Sequence, residues 1–305
     1  MQKARRKVVV AGLALSVLSA YACGAAYRRP ITRFNDASAV VIATSRVYFS
    51  ELNRVERDAL IEKLSAEKKR IDLVMLRKAQ PFSEKQIQER LDALDALAQY
   101  GSLLAKLESS DAPTQIHTEF RGLADALKTL EKKVSGDDAN VKFQAAVGPV
   151  AALIGTIASI GIRTKIDQQL KAAIVDGDKH VQALLTVMED DLSDAFQNRR
   201  LALSQLRPFA TDAYNNERDK GESANPDVLS RLASRIRTVE DQWESFQSTS
   251  PIPSLRAMGK AHKALVAYAV GPKNPATFAA VLSEVEVFLN EARRIGEAVQ
   301  ALRAL

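Results

Sequence analysis

The sequence predicts an all-α fold, an elongated antiparallel bundle of about seven or eight long helices with one apolar central helix. Three observations predict it. Apolar residues recur at alternating steps of three and four, so each series forms one stripe along a helix. Helix start and stop signals bracket these series. No stretch sustains the apolar–polar alternation of a half-buried strand, so no sheet is expected.

The first element is a leader. Residues 1–7 are basic, through Lys3, Arg5, Arg6 and Lys7; Val8 to Leu18 is apolar; Ala20-Tyr21-Ala22 has the small-x-small form of a cleavage site. These are the three parts of a secretory signal. The only cysteine of the chain, Cys23, follows at once. The segment resembles a bacterial lipoprotein signal peptide, in which the cysteine after the cleaved bond is acylated and becomes the mature N-terminus. Ala22 fits that pattern, while Ala20 and Tyr21 stand where the family usually has Leu and a small residue. The resemblance implies lipidation at Cys23 and, because Gly24 rather than an acid follows, an outer-membrane lipoprotein facing the periplasm. Two other readings stand beside it. Val8 to Ala26 is nearly long enough to remain as an inner-membrane anchor with its positive end in the cytoplasm. Cleavage after Ala22 without lipidation would release the protein. The domain scheme is thus a signal peptide over 1–22, a tether over 23–34 and a helical domain over 35–305, with a possible subdivision near 212–225.

Within the body, Ile116, Phe120, Leu123, Leu127, Leu130 and Val134 form one stripe. Leu229, Leu232, Ile236, Val239, Trp243 and Phe246 form another. Phe278, Leu282, Val285, Leu289, Ala292, Ile295, Val299 and Leu302 form a third. Ser83-Glu84-Lys85-Gln86 is a capping box flanked by Phe82 and Ile87, so a helix begins near Ser83. Gly136 after Lys132, Lys133 and Val134 marks a helix end. Asn225-Pro226 and Asn274-Pro275 each set an N-cap residue before a proline at the first helical position. Asp176-Gly177-Asp178 reads as a turn between two helices. Pro208 should kink or end the helix that opens near Asp178. Asp212 to Asn225 and Ser248 to Ser254 read as the long loops.

One segment departs from the striped pattern. Phe143 to Ile162 carries no charge and is apolar all round. Ala151, Gly155 and Ser159 place small residues at spacing four, which lets another helix approach closely. Three readings follow: a helix buried at the bundle centre; a membrane span, with Arg163, Lys165 and Lys171 on the cytoplasmic side; or a concealed segment that enters a bilayer. In the last case the architecture alone resembles the α-helical pore-forming toxins.

Composition and motifs narrow the function. The chain of 305 residues is 46% apolar and 26% charged, as globular proteins are. Its net charge is +6 from 43 basic and 37 acidic residues. Four of the basic residues sit in the leader, and the 39 that remain against 37 acids do not suggest a nucleic-acid partner. Lys68-Lys69-Arg70 and Arg199-Arg200 lack interleaved aromatics and read as solvated faces of long helices. There is no phosphate loop, nucleophile elbow or zinc motif. His117, His180 and His262 stand far apart, lack metal-ligand spacing, and read as surface or boundary residues. Glu189, Asp190, Asp191 and Asp194 read as a solvated acidic face, although Asp190 and Asp194 share a face at i, i+4. No cofactor, metal site or catalytic residue is expected, and an enzyme with a dispersed site ranks third among the readings. The first is a non-enzymatic, membrane-tethered interaction or structural protein with a protein partner. The second is a membrane-inserting or pore-forming protein using 143–162.

Overall fold

The computed structural model describes residues 2–109, 147–161, 166–248 and 250–304, with short stretches between 118 and 132; in the first helix, side chains are described from Tyr27 onward. Among these residues it is all-α. The helices are α1 (Gln2–Ala66), α2 (Leu73–Lys78), α3 (Glu84–Ser109), α4 (Val147–Gly161), α5 (Ile166–Arg218), α6 (Pro226–Ser248), α7 (Ile252–Val270) and α8 (Pro275–Ala304). One turn of 3-10 helix, Gly221–Ser223, precedes α6.

The predicted starts are made by the expected bonds. Gln86 N–H donates to Ser83 Oγ at 3.3 Å, and Ser83 N–H donates to the Gln86 side chain at 2.9 Å, completing the capping box of α3. Asn225 Oδ1 accepts from the backbone of Asp227 and Val228, and Asn274 Oδ1 accepts from Thr277 N–H, so α6 and α8 open at their prolines.

Cross-helix contacts give the register. Asn53 bonds both backbone groups of Phe82, and Asn35 lies against Gly101, so α1 and α3 are antiparallel. Arg90 meets Asp191 and Tyr100 meets Ala173, so α3 and α5 are antiparallel. Arg207 pairs with Glu240 while Phe196 stacks on Phe246, so α6 turns back along α5. Gln182 meets Gly259 and Asp178 meets His262, so α7 does the same. Ser254 bonds Glu291 and Tyr268 packs on Phe278, making α7 and α8 antiparallel. Arg33 pairs with Glu286 and Thr44 lies beside Gly296, so α8 runs parallel to α1. The core between them is aromatic and aliphatic, with Phe34, Tyr48, Phe49, Phe246 and Phe288 buried. Ser38, Thr44 and Ser45 sit on the core face of α1 because each hydroxyl donates to the carbonyl one turn back.

Several expectations are corrected. The tether does not hold as drawn: residues 23–34 belong to α1, and Ile31 and Phe34 are fully buried against the bundle. Asp176-Gly177-Asp178 lies inside α5 and makes no turn. The helix also passes Pro208, which is exposed on its outer face. Most of 212–225 is helical too, with α5 ending at Arg218. Glu217 then closes the turn, accepting from Asn225 N–H and from Lys220. Lys68-Lys69-Arg70 lies beyond the end of α1, in the connection to α2. Gly136 and Phe143 fall outside the described residues.

Candidate functional site

The most concentrated polar chemistry is a chain of three side chains running inward between α3, α5 and α7. Asp178 on α5 is half-buried. His262 on α7 and Tyr100 on α3 are both fully buried. His262 Nδ1 lies 2.8 Å from Asp178 Oδ1, and its Nε2 lies 2.7 Å from Tyr100 Oη. The phenol is also 2.9 Å from the Ala173 carbonyl. Asp178 accepts in addition from Gln182, whose amide also donates to the Gly259 carbonyl on α7 at 2.9 Å.

Two glycines lie against the chain. A Cβ on Gly177 would stand 3.4 Å from Tyr100 Oη, and one on Gly259 would stand 3.0 Å from Gln182 Oε1. The contact at Gly259 is the tight one, and a Cβ on Gly177 would just touch the phenol. Phe34 of α1 and the Tyr100 ring flank the imidazole, with ring centres 6.1 and 5.5 Å away.

Two proton placements satisfy all three groups. In one, Nδ1–H donates to Asp178 and Tyr100 donates to Nε2. In the other, Tyr100 donates to Ala173, and His262 donates through both nitrogens as an imidazolium paired with Asp178. The His262 hydrogen bond holds the Asp178 carboxyl below its ordinary value, aided by Gln182 and opposed by burial. Burial, and then the Asp178 charge, pushes the Tyr100 phenol well above its own. The order Asp–His–hydroxyl has the connectivity of a nucleophile relay. Its hydroxyl end is the fully buried one, so a substrate could reach Oη only if the helices parted.

A second buried polar pair lies further along α3 and α5. Arg90 Nε and Nη2 each donate to an Asp191 oxygen at 2.7 Å, with side-chain exposures of 1% and 4%. Arg90 Nη1 donates to the Gln86 carbonyl, and its guanidinium stacks 4.2 Å from the Phe82 ring centre.

These residues correct the expectations for polar groups. His262 is core rather than boundary, and Asp191 is buried rather than solvated. Asp190 and Asp194 are exposed, and Glu189 pairs with Arg256. His180 is half-buried, and burial lowers its pKa. His117 lies outside the described residues. A usable signal existed: each buried polar group sits on an apolar register. Arg90 falls between Ile87 and Leu94, Tyr100 between Leu97 and Leu104, Asp191 between Met188 and Ala195, and His262 between Met258 and Leu265.

The stripe on α4 is described only in part. Val150 and Leu153 are buried against α5, Ala151 is half-buried and Gly155 is exposed. The side chains of Ser159 and of Cys23 lie outside those described. Among the described residues no helix is long and apolar enough to cross a membrane, and no cluster of His, Cys, Asp or Glu could hold a metal. An open cleft of about 160 Å³ between α1 and α5 is lined by Glu56, Lys63, Gln205 and Phe209, among others. It lies about 40 Å along α5 from Asp178 at the helical rise. No family model, curated protein or solved structure matches the chain.

Proposed function

We propose that the protein is a helical interaction module of the bacterial cell envelope, tethered through Cys23 and presenting helix surfaces to a protein partner. The observation that supports a non-enzymatic role is the burial of its concentrated polar chemistry. Tyr100, His262, Arg90 and Asp191 join α3, α5 and α7, and their reactive atoms face one another. The leader sequence supports the tether. Membrane fractionation of cells making the wild type and Cys23→Ser tests it. The variant is expected soluble in the periplasm; a variant that stays in the membrane like the wild type rejects lipidation as the anchor.

A second reading, membrane insertion through α4, draws support from its uncharged sequence and outward Gly148 and Gly155. Its fifteen residues rise about 22 Å, short of the ~30 Å hydrocarbon core. Insertion therefore needs neighbouring residues as well. Dye release from liposomes is its test, and no release at any pH or lipid composition rejects it.

A further inference from the structure

Of the seven large apolar side chains exposed among the described residues, four lie together in sequence at the α1–α2 turn and α2, while Leu201, Val270 and Val287 stand singly on other helices. Leu73 is 72% exposed, and Ile71, Val74 and Met75 are 45%, 49% and 44% exposed. Only Leu76 of this helix is buried. Four neighbouring apolar side chains left in water mark a contact surface, since isolated exposed residues are ordinary but contiguous ones are not.

The charge around them identifies the contact. Lys68, Lys69 and Arg70 precede the apolar residues, and Arg77 and Lys78 follow; all five are exposed. The two acids of the segment are engaged locally: Glu67 pairs with Lys69 at 2.8 Å, and Asp72 caps α2 by accepting from Val74 N–H. The patch presents cations on both flanks of an apolar tip, with no aromatic residue. Protein interfaces favour aromatics and deplete lysine. A bilayer with anionic headgroups matches the arrangement. Its phosphates meet the flanking cations, whose long stems can lie along the apolar boundary while the tip enters it.

We propose that α2 docks the bundle onto an anionic lipid surface, with Ile71, Leu73, Val74 and Met75 entering the headgroup–acyl boundary and Lys68, Arg70, Arg77 and Lys78 contacting phosphates. This goes beyond the Cys23 tether and does not rest on it. From Tyr27 to Ala66, α1 rises about 60 Å, so the docking tip and the tethered end are at opposite ends of one helix.

The test uses the full chain with Cys23→Ser and Val74→Cys, labelled at position 74 with a polarity-sensitive fluorophore. A control carries Cys23→Ser and Ser230→Cys, labelled on the exposed face of α6. Vesicles of phosphatidylcholine alone are compared with vesicles that also contain phosphatidylglycerol. The probe at 74 is expected to shift to the blue on the anionic vesicles and to be quenched by lipids brominated on the acyl chain, while the probe at 230 does not change. Each basic residue near an anionic surface contributes enough that Arg70→Gln with Arg77→Gln should weaken insertion on the order of 30-fold. A probe at 74 that keeps its aqueous spectrum overturns the proposal and assigns the patch to a protein partner. An equal shift on phosphatidylcholine alone overturns the role of charge and with it the proposal. Because position 74 is read directly, failure of the Cys23 tether would not alter either outcome.

Discussion

Arg90 and Asp191 hold the most deeply buried ion pair described, and their geometry sets what a mutation should do. Both carboxylate oxygens and three guanidinium nitrogens are bonded, so neither charge is left uncompensated. Asp191→Ala removes only one partner and should cost about 3–5 kcal/mol. Arg90→Met combined with Asp191→Leu should cost less than that single change, since the remaining site is apolar. Urea denaturation of the three proteins measures both. Asp178 gives a pH prediction. Its folded pKa lies below its unfolded value near 3.9, so the stabilisation is present above that pH and is lost as pH falls through the folded pKa. Asp95 and Glu108, raised by burial, act in the opposite sense, so the Asp178 share is best read as a difference. Asp178→Asn should be less stable than the wild type at pH 7, with the gap narrowing below about pH 4. Thermal melts across pH provide the comparison. These sites were half legible in the sequence. Their polar residues interrupt apolar registers on three helices, which marks them as inward. Nothing in linear spacing says that the inward groups on different helices meet, because separations of 73 to 162 residues are closed only by packing.

At the scale of elements, glycine separates two kinds of helical position. Gly155 of α4 is exposed, with open space where a Cβ would stand, whereas Gly177 of α5 faces the Tyr100 hydroxyl. Gly155→Ala should stabilise by about 0.5–1 kcal/mol through helix propensity and lost chain entropy. Gly177→Ala should gain less, since its methyl would stand 3.4 Å from a Tyr100 hydroxyl held by Ala173 and His262. Differential unfolding of the two variants tests the contrast. The end of α1 is also informative. Lys69 N–H reaches the Leu64 carbonyl and Lys68 N–H reaches Ser65, with Lys68 at φ 53°, a turn usually closed by glycine. This stop carries no glycine signal, and the basic run there reads as helix until the structure is seen. Caps with a side-chain mechanism, at Ser83, Asn225 and Asn274, are legible because the bonding residues are adjacent in sequence. The passages through Gly177, Pro208 and Asp212 are not, because tertiary burial of the flanking α5 residues overrides local breakers.

For the whole molecule, the beginning of α1 is the element whose role differs most from a reading of spacing. Phe34 packs against Phe288 and His262, joining α1 to α7 and α8. Phe34→Ala should cost about 3–5 kcal/mol, as large-to-small changes in a closed core do. A melt unchanged by this substitution would make the segment an arm after all. The stripes foretold an all-α bundle and the inward faces of its helices. They could not foretell that α8 lies parallel beside α1 or that α4 lies against α5 with Gly155 outward, because periodicity names a face and not its neighbour.

The two polar contacts between α3 and α5 have a mechanical consequence. Arg90 and Tyr100 are ten residues apart, about 15 Å along α3, and each engages its own site on α5. Apolar stripes alone would let one helix slide past the other by a turn, about 5.4 Å, at modest cost. Here such a step would leave a guanidinium, a carboxylate and a phenol stranded together. Shear along this seam is thereby blocked, so α3 and α5 move as one body.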